Sequence, residues 1–394
     1  MDRLIVIDDD RAFGEFVNKV ATGAGYAATV TDSAGEFRLA LGENPPAVIV
    51  MDLHMPEIDG FELLRELSEK ESRAKLVMVS GVADPRTLET ARRFGREMGL
   101  TMAGVLAKPI RAADLKAVLV GLRESADETT VEGLREAIAN DRLFLEYQPK
   151  IDIRTRKLVG VEALVRWRGE SGQIIPPDAF IPLAENSGLI DDLTLWTIDR
   201  ALRQRRAWQD KALDLRVAVN ISAKNIHDHR LPDQLCDKCR ELGIPAGAIT
   251  IELTETASTW DVASLMEVLG RFRIKGFHLS IDDFGTGYSS IAQLVKLPFS
   301  ELKVDKSFVL EMDRVRDAAI VAKAIIDLGH NLGLAVVAEG VEKEIQLKML
   351  AEYGCDMAQG FYFFRPMDAG RIEALANIFD KGLAPPPAPA EKAP

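Results

Sequence analysis

Short apolar runs alternate with amphipathic segments along the chain, and their spacing separates two series. In the first, LIVI (4–7), AATVT (27–31), AVIVM (47–51), KLVMV (75–79) and MAGVLA (102–107) read as buried strands. Between them, FELLRELSEK (61–70) and PRTLETARRFGREMG (85–99) carry the helical period. Strand-helix alternation with short connections predicts a parallel sheet covered on both faces, a doubly wound α/β domain over residues 1–122.

The stretch RESADETTVE (123–132) is polar and suits a linker, or a continuation of the preceding helix. The second series begins near residue 133. LFLEYQPKIDI (143–153) and KLVGVEALVRW (157–167) read as paired strands around a polar turn. LRVAVNIS, AITIELTE, HLSIDDFG, ELKVDKSF, LAVVAEGVE and CDMAQGFYFF follow, each flanked by helical segments. Roughly eight strand units in ~250 residues predict a (β/α)8, TIM-like barrel over 133–381. The tail 382–394, GLAPPPAPAEKAP, offers almost nothing to bury and is expected to be disordered.

Composition narrows the function classes. A formal net charge of -12 disfavours broad binding to nucleic acid or anionic membrane. It also means that a phosphodiester substrate would need a local reversal of charge. Three cysteines make no disulfide framework and suit a reducing, cytoplasmic setting. The opening MDRLIVIDDD reads as a strand ending in acids rather than as a signal peptide, and no apolar run approaches the ~20 residues of a membrane helix.

Candidate chemistry gathers at predicted strand ends. Asp8, Asp9 and Asp10 end the first strand and Asp52 the third, which would be neighbours in a flavodoxin-like order. Converging carboxylates repel unless a hard cation such as Mg²⁺ joins them. Ser80 ends the fourth strand and Lys108-Pro109 the fifth. These residues, with LHMPEIDG (53–60), resemble the receiver domain of two-component response regulators. The resemblance implies that Asp52 takes a phosphoryl group from a histidine kinase. It further implies that Asp8, Asp9 and the His54 carbonyl hold Mg²⁺, and that Ser80 and Lys108 bind the phosphoryl group. Val105 stands where that family usually carries an aromatic switch residue, a departure that bears on how a signal would leave the domain.

In the second series the predicted strand ends carry Glu162, Asn220, Glu252, Asp282-Asp283, Lys303 and Glu339. A barrel collects such positions at one rim, and unpaired carboxylates gathered there would repel. All-oxygen ligation indicates Mg²⁺ or Mn²⁺, and two such ions about 3.5–4 Å apart suit displacement at phosphorus. YQP (147–149), EALVRW (162–167), ELTE (252–255), DDFGTGYSS (282–290), LKVDKSF (302–308), AEGVE (338–342) and Gln359-Gly360 together resemble the EAL family of cyclic diguanylate phosphodiesterases.

That resemblance implies one cation on Glu162, Asn220, Glu252 and Asp282, and a second on Asp282, Asp283 and Glu339. Lys303 would orient or deprotonate the attacking water, with its neutral form favoured beside two cations. Glu339 and Glu342 join it in the implied catalytic set, while Gln148, Leu164, Arg166 and Gln359 would contact substrate. Glu255, Gly285 and Gly287 would couple a loop to dimerisation. The implied reaction is hydrolysis of cyclic di-GMP to linear pGpG by a homodimer or higher oligomer under phosphorylation control. The chain has no Gly-Gly dipeptide, so a GGDEF-type cyclase motif is missing. The rival reading is a catalytically silent cyclic di-GMP sensor or scaffold acting through protein partners. Cys236 and Cys239, with His227 and His229 upstream, have zinc-like spacing, but LPDQLCDKCRELG reads as a helix with its thiols on the apolar side.

Overall fold

The computed structural model describes residues 2–43, 45–56, 58–81, 85–124, 129–170, 172–254, 262–285 and 291–380. Contacts divide the chain into two units, Met1–Thr130 and Val131–Pro394. Val131 and Glu132, within the stretch the sequence suggests as a linker, begin a helix over Val131–Ala139. The Pro/Ala-rich tail lies outside the described residues.

The first unit carries strands β1 (Arg3–Ile7), β2 (Ala27–Thr31), β3 (Val48–Asp52), β4 (Lys75–Ser80) and β5 (Thr101–Ala107). All pair in parallel, in the order β2-β1-β3-β4-β5. Alternate residues feed two separate cores. Ile5, Ile7, Ile49, Met51, Leu76 and Met78 pack on one face, and Leu4, Val6, Val48, Val50, Val77 and Val79 on the other. Burial on both faces is why these strands read as continuous apolar runs.

The second unit adds β6 (Leu143–Asp152), β7 (Leu158–Arg168), β8 (Ile174–Ile175), β9 (Arg216–Asn220), β10 (Ile249–Thr254), β11 (His278–Phe284), β12 (Glu301–Val304), β13 (Ala335–Ala338) and β14 (Met357–Ala358). The order β6-β14-β13-β12-β11-β10-β9-β7 closes through β6–β7, giving an eight-stranded barrel, with β8 appended to β7. One strand departs from an all-parallel (β/α)8 pattern: β6 runs antiparallel to both its neighbours. Its connection to β7 is the tight turn expected at Arg154–Arg156, with Arg156 at φ 59°. So short a link can join only antiparallel strands. A large apolar cluster including Tyr147, Trp208, Val217, Ile251 and Phe272 packs the barrel wall against its helices.

Candidate active site and acceptor pocket

In the first unit, β1 and β3 lie side by side, so Asp8, Asp9 and Asp52 converge, with one oxygen from each within 4.8 Å of the others. Asp10 belongs to a different task. Its carboxylate accepts from Ala12 N at 2.9 Å and caps the helix Arg11–Gly23. Lys108 Nζ donates to Asp8 Oδ2 and Asp52 Oδ2, both at 2.7 Å, and lies 4.2 Å from the Phe13 ring centroid. Burial works against the Lys108 charge, but its bonds to Asp52 and Asp8 outweigh burial and raise its pKa. Burial raises the pKa of Asp8. Asp52 Oδ1 accepts from His54 N at 3.0 Å. Ser80 is buried at the end of β4, and Val105 is half-buried on β5 against the Met51 and Met78 core.

In the barrel, Asn220 ends β9 and Glu339 directly follows β13, whereas Glu162, Glu252 and Asp282 lie within β7, β10 and β11 rather than at the strand ends expected from the sequence. Lys303 is fully buried at their centre. Its Nζ lies 3.3 Å from Glu162, 3.1 Å from Glu252, 2.9 Å from Asp282 and 2.6 Å from Glu339. Burial alone would favour the neutral amine, but the four carboxylates, Asp282 foremost, raise its pKa well above the ordinary value. These four acids therefore favour the charged ammonium, against the neutral form expected from the sequence.

Amide side chains complete the ring. Asn220 Nδ2 donates to Glu162 Oε1 at 2.8 Å, and Gln359 Nε2 donates to Glu162 Oε2 at 2.8 Å and Glu339 Oε1 at 2.7 Å. For Glu162, burial is outweighed by Lys303, Lys150 and these two amides, so its pKa falls. Burial dominates for Glu252, Asp283 and Glu339, and their pKa values rise. A ring whose members cannot all be charged comfortably has a deficit of positive charge.

Consecutive acids reach the same rim because β11 is irregular. Its register against β12 shifts between Ile281 and Phe284, and Asp283 adopts φ 55°. Asp282 and Asp283 are therefore not sent to opposite faces, as regular strand neighbours are.

Two groups of oxygens fit divalent cations: Glu162, Glu252 and Asp282, and Asp282, Asp283 and Glu339. Within each group, one oxygen per residue lies within 4.8 Å of the others. Gln359, whose Nε2 bonds Glu162 and Glu339, has its Oε1 buried without a hydrogen-bond partner. The donors are hard oxygens, as Mg²⁺ or Mn²⁺ requires.

Other predicted site residues occupy the surroundings. Gln148 is paired in register with Glu162, and its amide donates to Phe364 O. Leu164 and Arg166 share the Glu162 face of β7; Arg166 Nε donates to Glu146 Oε2 at 2.8 Å. Glu342 is exposed, and its backbone N–H donates to Gln346 Oε1 at 2.8 Å. Gly285 directly follows β11, with φ 100°. Glu255 and Gly287 lie outside the described residues.

Sequence reasoning passed over Lys150 and Glu301, both buried inside the barrel. The signal was available: Lys150 is two residues from Gln148 and Glu301 two from Lys303, so the strand period places each on the inward face. Cys236 and Cys239 lie on the helix Leu231–Glu241, and burial pushes the Cys239 thiol up to about 12. His227 and His229 instead face Asp191 and Glu267.

Comparison with known proteins agrees with this division. The EAL domain model matches residues 131–366, and the response regulator receiver domain model matches residues 4–120. Cyclic di-GMP phosphodiesterase NbdA of Pseudomonas aeruginosa is 40% identical over 256 residues, 65% of this chain and 33% of NbdA. Signaling protein YkoW of Bacillus subtilis is 40% identical over 254 residues, 64% of this chain and 32% of YkoW. The chain thus spans about a third of the length of these curated relatives. Among solved structures, the PaMucR phosphodiesterase in complex with c-di-GMP aligns with TM-score 0.59 and 40% identity, covering 61% of this chain and 98% of that one. On these matches, and on the strand-end acids that its barrel assembles, the chain belongs to the EAL domain family and joins that domain to a response regulator receiver domain.

Proposed function

We propose that the barrel hydrolyses cyclic di-GMP to linear pGpG using two divalent cations, and that phosphorylation of Asp52 controls the rate. The observation that carries this reading is the sharing of Asp282 between two oxygen triads, one fully buried and one half-buried, beside Lys303. Glu162, Asn220, Glu252 and Asp282 would hold one cation, and Asp282, Asp283 and Glu339 the other. When bound, the cations supply positive charge to phosphate oxygens and lower the pKa of water. The protein's own groups do the positioning. Asn220 and Gln359 fix the Glu162 carboxylate from both sides. Lys303 is held where its ammonium can orient an attacking oxygen. If it is to accept a proton, the surrounding acids must first be neutralised. Arg166, on the same face of β7, would meet a substrate phosphate on leaving Glu146. Gln148 and Leu164 would line the same approach, and Glu342 would act through water.

We assign residues 1–122 to the receiver, 133–381 to the phosphodiesterase, and phosphoryl donation to a sensor histidine kinase in the cytoplasm. Homodimerisation is part of the proposal, with Glu255, Gly285 and Gly287 as the coupling loop. The test is a Mg²⁺-dependent assay of cyclic di-GMP turnover by the purified chain, with and without beryllofluoride. Product should be pGpG, Glu162→Ala and Lys303→Ala should abolish its formation, and beryllofluoride should change the rate in wild type but not in Asp52→Asn. Binding without turnover in Mg²⁺ or Mn²⁺ would replace the hydrolase reading with the silent-sensor one.

A further inference from the structure

Lys150 and Glu301 lie one layer beneath the carboxylate ring, 4% and 3% exposed. Lys150 pairs in register with Gly160, two residues below Glu162 on β7. Its Nζ donates to Glu252 Oε1 at 2.6 Å and to Glu301 Oε1 at 3.2 Å. The other oxygen of Glu252, Oε2, is the one that receives Lys303 at 3.1 Å. The two oxygens of Glu252 are thus divided between a lysine below and the reaction site above.

We infer that Lys150, itself held by Glu301, is a positioning residue: it occupies one oxygen of Glu252 and thereby presents the other to the cation site. The inference rests on the two-cation reading above. A glutamate's last torsion is broad and close to two-fold, so a free Glu252 carboxylate would not keep one oxygen upward. Lys150 removes that freedom with a single charged bond. Stability does not account for the arrangement. Desolvating buried ions is expensive, and apolar side chains of similar volume often stabilise a core as well or better. Lys150 also reaches from the antiparallel strand β6 to both β10 and β12, so its hold on Glu252 is referenced to the barrel frame.

The experiment titrates Mn²⁺ into the full chain without substrate, followed by electron paramagnetic resonance. All proteins carry Asp8→Asn and Asp9→Asn to remove the receiver pocket from the signal. Lys150→Met/Glu301→Gln removes one charge of each sign, and Glu301→Gln alone keeps the Lys150–Glu252 bond. Leu375→Ala, in the last helix, serves as a destabilised control. The double variant should bind Mn²⁺ about 10–100-fold more weakly, as loss of a ligand's supporting bond generally does. Glu301→Gln should lose less, and Leu375→Ala should keep wild-type affinity while melting lower. A double variant that keeps its affinity within about twofold would overturn the inference while leaving the two-cation site standing. So would an equal loss in Leu375→Ala. A parent protein that binds no Mn²⁺ would overturn the two-cation reading and this inference together.

Discussion

Asp283 shows how much chemistry a single backbone conformation carries. With φ 55°, it sits in the left-handed region, where most residues pay roughly 1–2 kcal/mol but Asp and Asn are tolerated because they bond locally. That conformation, with the shift of register beside it, brings a second acid to the rim that Asp282 already occupies. The charge at Asp283 is disfavoured by burial and by Asp282 and Asp305. Asp283→Asn is therefore expected to fold as well as wild type, because it keeps the backbone preference and removes a repulsion. Its Mg²⁺-dependent turnover should fall by about two orders of magnitude, the scale of losing one preorganised electrostatic group. A thermal melt paired with a turnover assay separates the two effects, and full activity in a folded Asp283→Asn protein would remove Asp283 from the site.

At the scale of elements, β7 is the strand on which most depends, since Glu162, Leu164 and Arg166 share its inward face. Its far end is clamped by the helix Pro177–Ser187. Pro177 suits the first helical position, and Gly188 at φ 77° closes the end. Phe180 on this helix is fully buried and meets Trp167 edge-on, with ring centroids 5.8 Å apart. Phe180→Ala should cost about 3–5 kcal/mol, the usual range for truncating a buried aromatic. All four tryptophans lie at or beyond residue 167, so fluorescence during urea unfolding reports on the barrel. A midpoint unchanged by Phe180→Ala would show that this helix does not hold β7 in place.

For the molecule as a whole, the decisive quantity is charge. A chain of net charge -12 concentrates buried carboxylates at two places, and each collects a lysine. Cations that bind only the folded state stabilise it by mass action, by about 2.7 kcal/mol per site at a hundredfold excess over Kd. Mg²⁺ should therefore raise the barrel's melting temperature, read by tryptophan fluorescence, and a chelator should reverse the gain. Glu162→Gln/Asp282→Asn should abolish the response. A melt indifferent to Mg²⁺ and Mn²⁺ would mean that the carboxylate ring is satisfied by Lys303 and Lys150 without a cation. No helix among the described residues is long and apolar enough to cross a membrane.

Much of this was legible in the chain itself. Two-sided apolar runs such as VIVM and LVMV could only be interior strands of a covered parallel sheet, and they are. Acids placed where such runs end, as Asp52 and Glu339 are, had to meet at a rim once the strands ran parallel. Tertiary structure alone decided the rest, because it concerns which of several locally equivalent groups meet across the fold. Local sequence does not say that Asp10 caps a helix while Asp8 joins the pocket. Nor does it say that β6 runs against its neighbours, or that a bulge turns Asp282 and Asp283 to one side. The partners of Lys150 stand 102 and 151 residues away, on strands that only barrel closure brings within reach. Period and polarity determine the faces of elements; long-range pairing determines which charges share a face, and with it the chemistry.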